Sequence, residues 1–149
     1  MIQIRKATIK DLEQLLQLFD AYRVFYGKNS EQEESRKFLW DRFTNNDSVI
    51  FVADNGVNRL TGFTQLYPLF SSVQMKRLWL LNDLFVDPAY RGQGVSIALI
   101  NEAKKLCRST GACGMYLETA KTNLIGNQLY PKTGFVLNDA HNFYEWDVN

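Results

Sequence analysis

The chain is poor in the residues that build a stapled or metal-centred protein. It has two cysteines, Cys107 and Cys113, and a single histidine, His141. Two cysteines make no disulfide framework and fit a reducing compartment. One histidine excludes a His-based metal site, and the layout around it offers no Ser–His–Asp triad. Charge of one sign is also missing: 17 basic and 16 acidic residues leave a net charge of +1. That balance gives no electrostatic footprint for nucleic acid or for an anionic membrane. No apolar run approaches the ~20 residues of a membrane span. The first six residues, MIQIRK, lack the about 7–15 apolar residues of a signal h-region. The only prolines are Pro68, Pro88 and Pro131, and no linker, repeat or low-complexity tract interrupts the chain. A single domain over residues 1–149 is expected, cytoplasmic, without a metal, a nucleic-acid partner or a membrane partner.

What is present reads as alternating elements. Ile2 and Ile4 alternate with Gln3 and Arg5, a short strand. Thr8 followed by Asp11 starts a helix over about 9–25, with Leu12, Leu15, Leu16 and Phe19 at helical spacing. Ser30 with Glu33 repeats the start signal, and Phe38, Leu39 and Phe43 give the second helix its apolar side. The charged residues from Glu31 to Lys37 form its solvated face. Residues 48–53 form a strand, Asn55-Gly56 marks a hairpin, and the return covers 60–67. A long strand over 77–86 ends at Asp87-Pro88, because proline cannot continue a ladder. Val95, Leu99, Ala103 and Leu106 share one helix face. Residues 115–119 read as a strand and 123–133 as a short helix with Gly134 as its left-handed cap. Val136 and Phe143 to Val148 finish the chain with strand-like pieces. The order predicts an α/β fold: a twisted mixed sheet of about seven strands with about four helices on both faces.

One turn carries chemistry. Between the long strand and the next helix lies Arg91-Gly92-Gln93-Gly94-Val95-Ser96. Glycines let the backbone turn tightly and approach a ligand closely, and free N–H groups at a helix start attract an anion such as pyrophosphate. A plain strand-to-helix turn would use the same glycines. The turn is not a dinucleotide fingerprint, because position 97 is Ile and no acidic ribose partner follows at about 20 residues. Nor is it a Walker A loop, because Gly94-Val95-Ser96 lacks the lysine.

The run Asp83 to Gly94 resembles motif A of the GCN5-related N-acetyltransferases, Arg/Gln-x-x-Gly-x-Gly/Ala after a strand ending in Val-x-Pro. Asn123 followed by Leu129-Tyr130-Pro131-Lys132-Thr133-Gly134-Phe135 resembles the second signature of that family. Two departures stand out. Ser96 replaces the final Gly/Ala. Pro131 occupies a position where the family often has Glu, and proline is expected to turn Tyr130 away from helical geometry.

The resemblance implies an N-acetyltransferase that uses acetyl-CoA and transfers directly to an amine, with no metal and no covalent enzyme intermediate. It places the pyrophosphate on the turn that starts at Arg91 and Gly92, against the N–H groups of Gln93, Gly94, Val95 and Ser96. It places the pantetheine arm on the main chain of Phe85 and Val86, where two strands splay, with Asn123 in contact. Tyr130 matches the general acid that protonates the leaving thiolate, and a phenol of pKa about 10 suits that task. An amine of pKa about 10.4 must lose a proton before it attacks. Asp83 and Glu118, carboxylates expected inside central strands, are the candidate bases, and a water chain is the alternative. Asp83 also matches an acidic acceptor-site position in spermidine/spermine acetyltransferases. Tyr22 and Tyr26, with Phe25, fall where the family walls the acceptor, and aromatic faces suit an ammonium. A small amine or polyamine is the expected acceptor, with a protein lysine or N-terminal amine second. A non-catalytic CoA-binding module is the rival of another class. Many relatives pair, so a homodimer is expected.

Overall fold

The computed structural model describes residues 1–149. They form two compact units, Met1–Glu118 and Thr119–Asn149. The first holds a five-stranded mixed sheet in sequential order: β1 (Gln3–Lys6), β2 (Val49–Asp54), β3 (Leu60–Ser71), β4 (Lys76–Val86) and β5 (Gly114–Tyr116). The first three pairings are antiparallel, and β4 pairs β5 in parallel. The helices of this unit are α1 (Leu12–Phe25), α2 (Gln32–Asn45) and α3 (Val95–Ser109). The second unit holds α4 (Leu124–Lys132). No helix is long and apolar enough to cross a membrane.

The sheet buries both faces. Leu12, Leu15, Leu16 and Phe19 of α1 and Leu39 of α2 join Ile50, Val52, Phe63 and Phe85 in one core. These positions on β2 alternate with Phe51 and Ala53, which are also buried and therefore point to the opposite side. On that side Val95, Leu99, Ile100 and Ala103 of α3 are buried. Trp79 of β4 also lies there and donates its indole N–H to Thr110 Oγ1 at the end of α3, 2.9 Å away.

One irregularity organises β4. Gln65 of β3 pairs with Asp83, but the next residue, Leu66, pairs with Leu81. Asn82 is therefore an extra residue, a β-bulge. Upstream of it Trp79 and Leu81 share the α3 side with Leu66. Downstream, Asp83 and Phe85 share the α1 side with Gln65 and Phe63. The bulge switches the side chains of one alternating run from one core to the other. Pro68 is tolerated inside β3 because it lies beyond Val49↔Leu66, where the β2 pairing ends.

Several expectations change. The sheet has five strands, not seven: residues 136–149 enter no ladder. Val136, Leu137, Phe143, Tyr144, Trp146 and Val148 are exposed. The strand expected at 115–119 stops at Tyr116. The Asn55-Gly56 hairpin forms, but as a five-residue connection in which the Asn55 side chain accepts the N–H groups of Val57 and Arg59. Ser30 does not cap α2. Asp20, buried in α1, instead accepts the Ser30 hydroxyl at 2.6 Å, the Glu31 N–H at 3.0 Å and the Gln32 amide at 3.2 Å. Burial would raise the Asp20 carboxyl, but these bonds hold it below the ordinary range. Cys113 is exposed and Cys107 half-buried.

Pro131 does not end α4 or displace Tyr130 from it. It sits one residue from the end, so its missing N–H removes a single helical bond. Beyond it the chain closes with a left-handed Gly134, φ 91°. Gly134 N–H donates to Pro131 C=O at 3.1 Å and Phe135 N–H to Tyr130 C=O at 3.0 Å. These two bonds are a Schellman cap, completed by the apolar contact it favours. That contact is Tyr130 edge-on to Phe135, ring centroids 5.8 Å apart.

Candidate active site

The turn after β4 is built as an anion cradle. Asp87 Oδ1 accepts the Ala89 N–H at 2.9 Å, and Pro88 opens a short 3-10 turn that leads the chain off the strand. Gly92 and Gly94 are left-handed, with φ 74° and 78°. A Cβ built on either glycine meets no atom within 4 Å, so the left-handed backbone rather than crowding calls for glycine at both positions. The first helical bond of α3 runs from Ala98 N–H to Gly94 C=O. The N–H groups of Val95, Ser96 and Ile97 therefore precede any acceptor the helix can supply. A diphosphate fits such a cradle through backbone donors and the helix dipole. Ser96 adds a small hydroxyl side chain and removes none of these donors, and Gln93 sits between the two glycines.

β4 leaves one edge open beside this turn. It pairs with β5 only through Leu78, Trp79 and Leu80, and continues to Val86 without a strand partner on that side. Asp87 N–H donates back to Thr61 C=O of β3 at 2.8 Å. Peptide groups alternate along a strand, so Leu84 and Val86 direct theirs to the open side and Phe85 directs its own to β3. Of the two residues expected to hold a pantetheine arm through the main chain, Val86 alone turns its N–H to the open side. Phe85 contributes its ring to the α1 core instead. Arg91 turns back and donates Nε–H to the Val86 carbonyl at 3.0 Å. Its guanidinium lies 5.5 Å from the Phe85 ring centre and 5.9 Å from that of Phe25. Arg91 thus ties the turn to the strand end and to α1.

Asp83 lies at the bulge, 3% exposed. Its partners are neutral: Gln65 Nε2 donates at 2.7 Å and Asn82 Nδ2 at 3.0 Å. Burial pushes the Asp83 carboxyl above its ordinary value, against hydrogen bonds from Gln65, Tyr22 and Asn82. Tyr22 reaches down from α1 and donates to the Asn82 carbonyl that the bulge turns out of the ladder, 3.3 Å away. Its ring contacts Phe63, Phe85 and Tyr26 edge-on. Phe25 and Tyr26 are exposed at the end of α1. Burial, and then the Asp83 charge, raise the Tyr67 phenol, so Tyr67 stays neutral beside it.

Glu118 is not part of this arrangement. It is exposed and lies past the end of β5, so the reason for reading it as a base, a carboxylate inside a central strand, does not hold. A groove of about 400 Å³ between α1 and α2 is lined by Phe19, Ser35 and Phe38 among others, but by neither Asp83 nor any residue of the 91–96 turn. No group of three or more His, Cys, Asp or Glu side chains is arranged to hold a metal ion. Gln65 and Ser48 escaped the sequence reading. The signal for Gln65 was there: an amide in β3 on the same alternating side as Phe63.

In the second unit, Asn123 caps α4. Its Oδ1 accepts the Gly126 N–H at 3.1 Å and its Nδ2 donates to Thr119 Oγ1 at 2.9 Å. A Cβ on Gly126 would stand 2.6 Å from Asn123 Nδ2 and 3.3 Å from the Tyr130 ring, so only glycine lets this cap and this ring coexist. Tyr130 is half-buried in the last turn of α4.

Residues 15–135 match the model of the acetyltransferase (GNAT) family. The chain belongs to that family. It is 40% identical over 134 residues to an uncharacterized N-acetyltransferase of Bacillus subtilis (strain 168), covering 90% of this chain and 89% of the relative. A spermidine N(1)-acetyltransferase of Thermoplasma acidophilum is 23% identical over 152 residues, 93% of this chain and 91% of that protein. A crystal structure of a probable acetyltransferase superposes with a TM-score of 0.94 at 39% identity, over 99% of this chain and 98% of that one. The GNAT chain is thus an acetyltransferase with a family fold.

The buried charge has a stability cost with a definite sign. The folded-state pKa of Asp83 lies above that of the unfolded chain, so the cost is absent below the ordinary carboxylate value and grows as pH rises through the folded pKa. Asp83→Asn is expected to raise the melting temperature by a few degrees at pH 7.5. The gain should close as pH falls toward about 4. A less stable variant at neutral pH would show that the carboxylate is stabilised in place.

Proposed function

We propose that this acetyltransferase takes acetyl-CoA as donor and a small primary amine, with polyamines foremost, as acceptor, in a direct transfer within a ternary complex. The observation that carries the acceptor reading is Asp83: a buried carboxylate with neutral partners only, next to Tyr22 and near exposed Phe25 and Tyr26. A cation brought to it gains both charge pairing and aromatic faces. The spermidine-specific name of one relative agrees with this class.

The roles follow from chemistry. Backbone donors at Gln93, Gly94, Val95 and Ser96 bind the diphosphate, and Val86 main chain holds the arm. Asp83 takes a proton from the acceptor ammonium. The freed nitrogen pair attacks the thioester carbonyl, the C–N bond forms, the C–S bond breaks, and the second proton lost by the nitrogen passes through water to restore the Tyr130 phenol. Tyr130 gives its proton to the departing thiolate. The resemblance of Asn123 and Tyr130 to the family signature supports the last assignment, and the Schellman cap gives the Tyr130 side chain a fixed place on α4. A cytoplasmic setting is supported by two free cysteines.

A homodimer is the favoured assembly. Phe143, Tyr144, Trp146 and Val148 are each at least 76% exposed. Aromatic surface of this extent is typically covered by a partner. Light scattering is expected to give twice the chain mass, and a monomer at micromolar concentration would overturn the assembly.

Acetyl-CoA at 100 times Kd should add about 2.7 kcal/mol, a rise in melting temperature of roughly 5–10 °C, with no rise for NAD or ATP. Gly94→Val should abolish that rise; an undiminished rise would place the diphosphate elsewhere. Without any rise in the parent protein, the non-catalytic binding module becomes the better reading. Tyr130→Phe should lower kcat about 10²-fold with KM for acetyl-CoA nearly unchanged, measured by thiol release on polyamines, amino acids and peptides. Turnover on peptides alone would move the acceptor to a protein amine, and an unchanged kcat would remove Tyr130 as the acid.

A further inference from the structure

A primary amide buried in a strand has to satisfy a donor and an acceptor end at once. Gln65 is fully buried in β3. Its Nε2 donates to Asp83 Oδ2 at 2.7 Å, and its Oε1 accepts the Ser48 hydroxyl at 2.9 Å. An ionised carboxylate only accepts, so it fixes this orientation of the amide. A protonated Asp83 instead donates, and it needs an acceptor. Gln65 supplies one by flipping, which turns Nε2 toward Ser48. The Ser48 oxygen can donate or accept, so it suits either orientation. The three side chains run in a line across the sheet, from the residue before β2, through β3, to the bulge of β4. Both protonation states of Asp83 are thereby bonded without orphaning a buried group.

We propose that Gln65, backed by Ser48, is the positioning residue that lets Asp83 exchange its proton during acetyl transfer. This rests on the reading of Asp83 as the base. Gln65 touches neither substrate nor the reacting atoms; it acts through the carboxylate. The titratable groups facing Asp83 are Tyr22 from α1 and Tyr67 from β3, with Arg42 of α2 and Asp47 bearing on Tyr67. Among the side chains bonded to it, Gln65 makes the shortest contact with the carboxylate, and it can change from donor to acceptor toward it while keeping Ser48 as its second partner.

The test separates the two ideas. In the free protein, 13C NMR of labelled aspartate carboxyls, with the Asp83 resonance assigned by its loss in Asp83→Asn, gives the midpoint of Asp83 directly. Gln65→Met keeps the volume and cannot donate. It is expected to move that midpoint up by about one pH unit and to shift the acidic limb of kcat/KM by the same amount. Activity below the parent midpoint should then fall about tenfold and recover at higher pH. Ser48→Ala is expected to shift both in the same direction by less, with Ser48→Thr restoring the parent values. An unmoved Asp83 midpoint in folded Gln65→Met overturns the proposal. So does a uniform loss of kcat at every pH with the midpoint unmoved, which is the mark of a merely structural amide. A midpoint that moves while the rate profile ignores even Asp83→Asn supports the hold of Gln65 on Asp83 and overturns Asp83 as the base.

Discussion

The extra residue at Asn82 is the constraint on which the site depends. Trp79, Leu81, Asp83 and Phe85 alternate without interruption in sequence, yet they serve two different cores because the bulge falls in the middle of the run. Upstream, the strand packs its tryptophan against the end of α3. Downstream, it feeds Phe85 to α1 and carries a carboxylate into the same layer. The same extra residue frees the Asn82 carbonyl for Tyr22 and changes which peptide groups face the open edge. Remove it, and either Leu81 or Phe85 faces the wrong side.

Two kinds of electrostatics then coexist within the first unit. At the 91–96 turn, charge is offered by backbone: N–H groups at a helix start, exposed by two left-handed glycines. At the bulge, charge is held by a side chain that burial penalises and neutral groups partly compensate. The first costs little, because donors at a helix start are orphaned in any case. The second lowers stability at neutral pH, because the folded chain holds the Asp83 proton more tightly than the unfolded chain does. Arg91 links the two regions, bonded to Val86 and lying against Phe85 and Phe25. The second unit carries its own devices: an Asn123 cap at one end of α4 and the Schellman closure at the other.

Much of this was legible in the chain. Helical spacing from Leu12 to Phe19 placed α1, and Asp87-Pro88 ended β4 where the sequence said it would. Gly134 capped α4 through a left-handed φ, as its position implied. The misses have physical causes. Ser30 looked like a cap, but Asp20, ten residues earlier and already buried, takes the Ser30 hydroxyl as a donor together with the Glu31 N–H and the Gln32 amide. Pro131 looked disruptive, but near a helix end it removes only one bond. Glu118 looked like a strand residue because Met115 to Leu117 reads as one, yet the ladder with β4 ends at Tyr116. Phe143 to Val148 alternates like a strand and enters none within its own chain.

The sequence by itself determined the local events: which segments coil, which extend, where they stop, and that a glycine-rich turn opens a helix after a strand. Each of these depends on neighbours a few residues apart, through backbone sterics and short-range hydrogen bonds. The tertiary structure alone decided the register between β3 and β4, and with it the face on which Asp83 lies. It also decided that Gln65 and Ser48, distant in sequence, stand in line with that carboxylate. Register is a property of two strands at once, and alternation in one strand cannot reveal where its partner skips a residue.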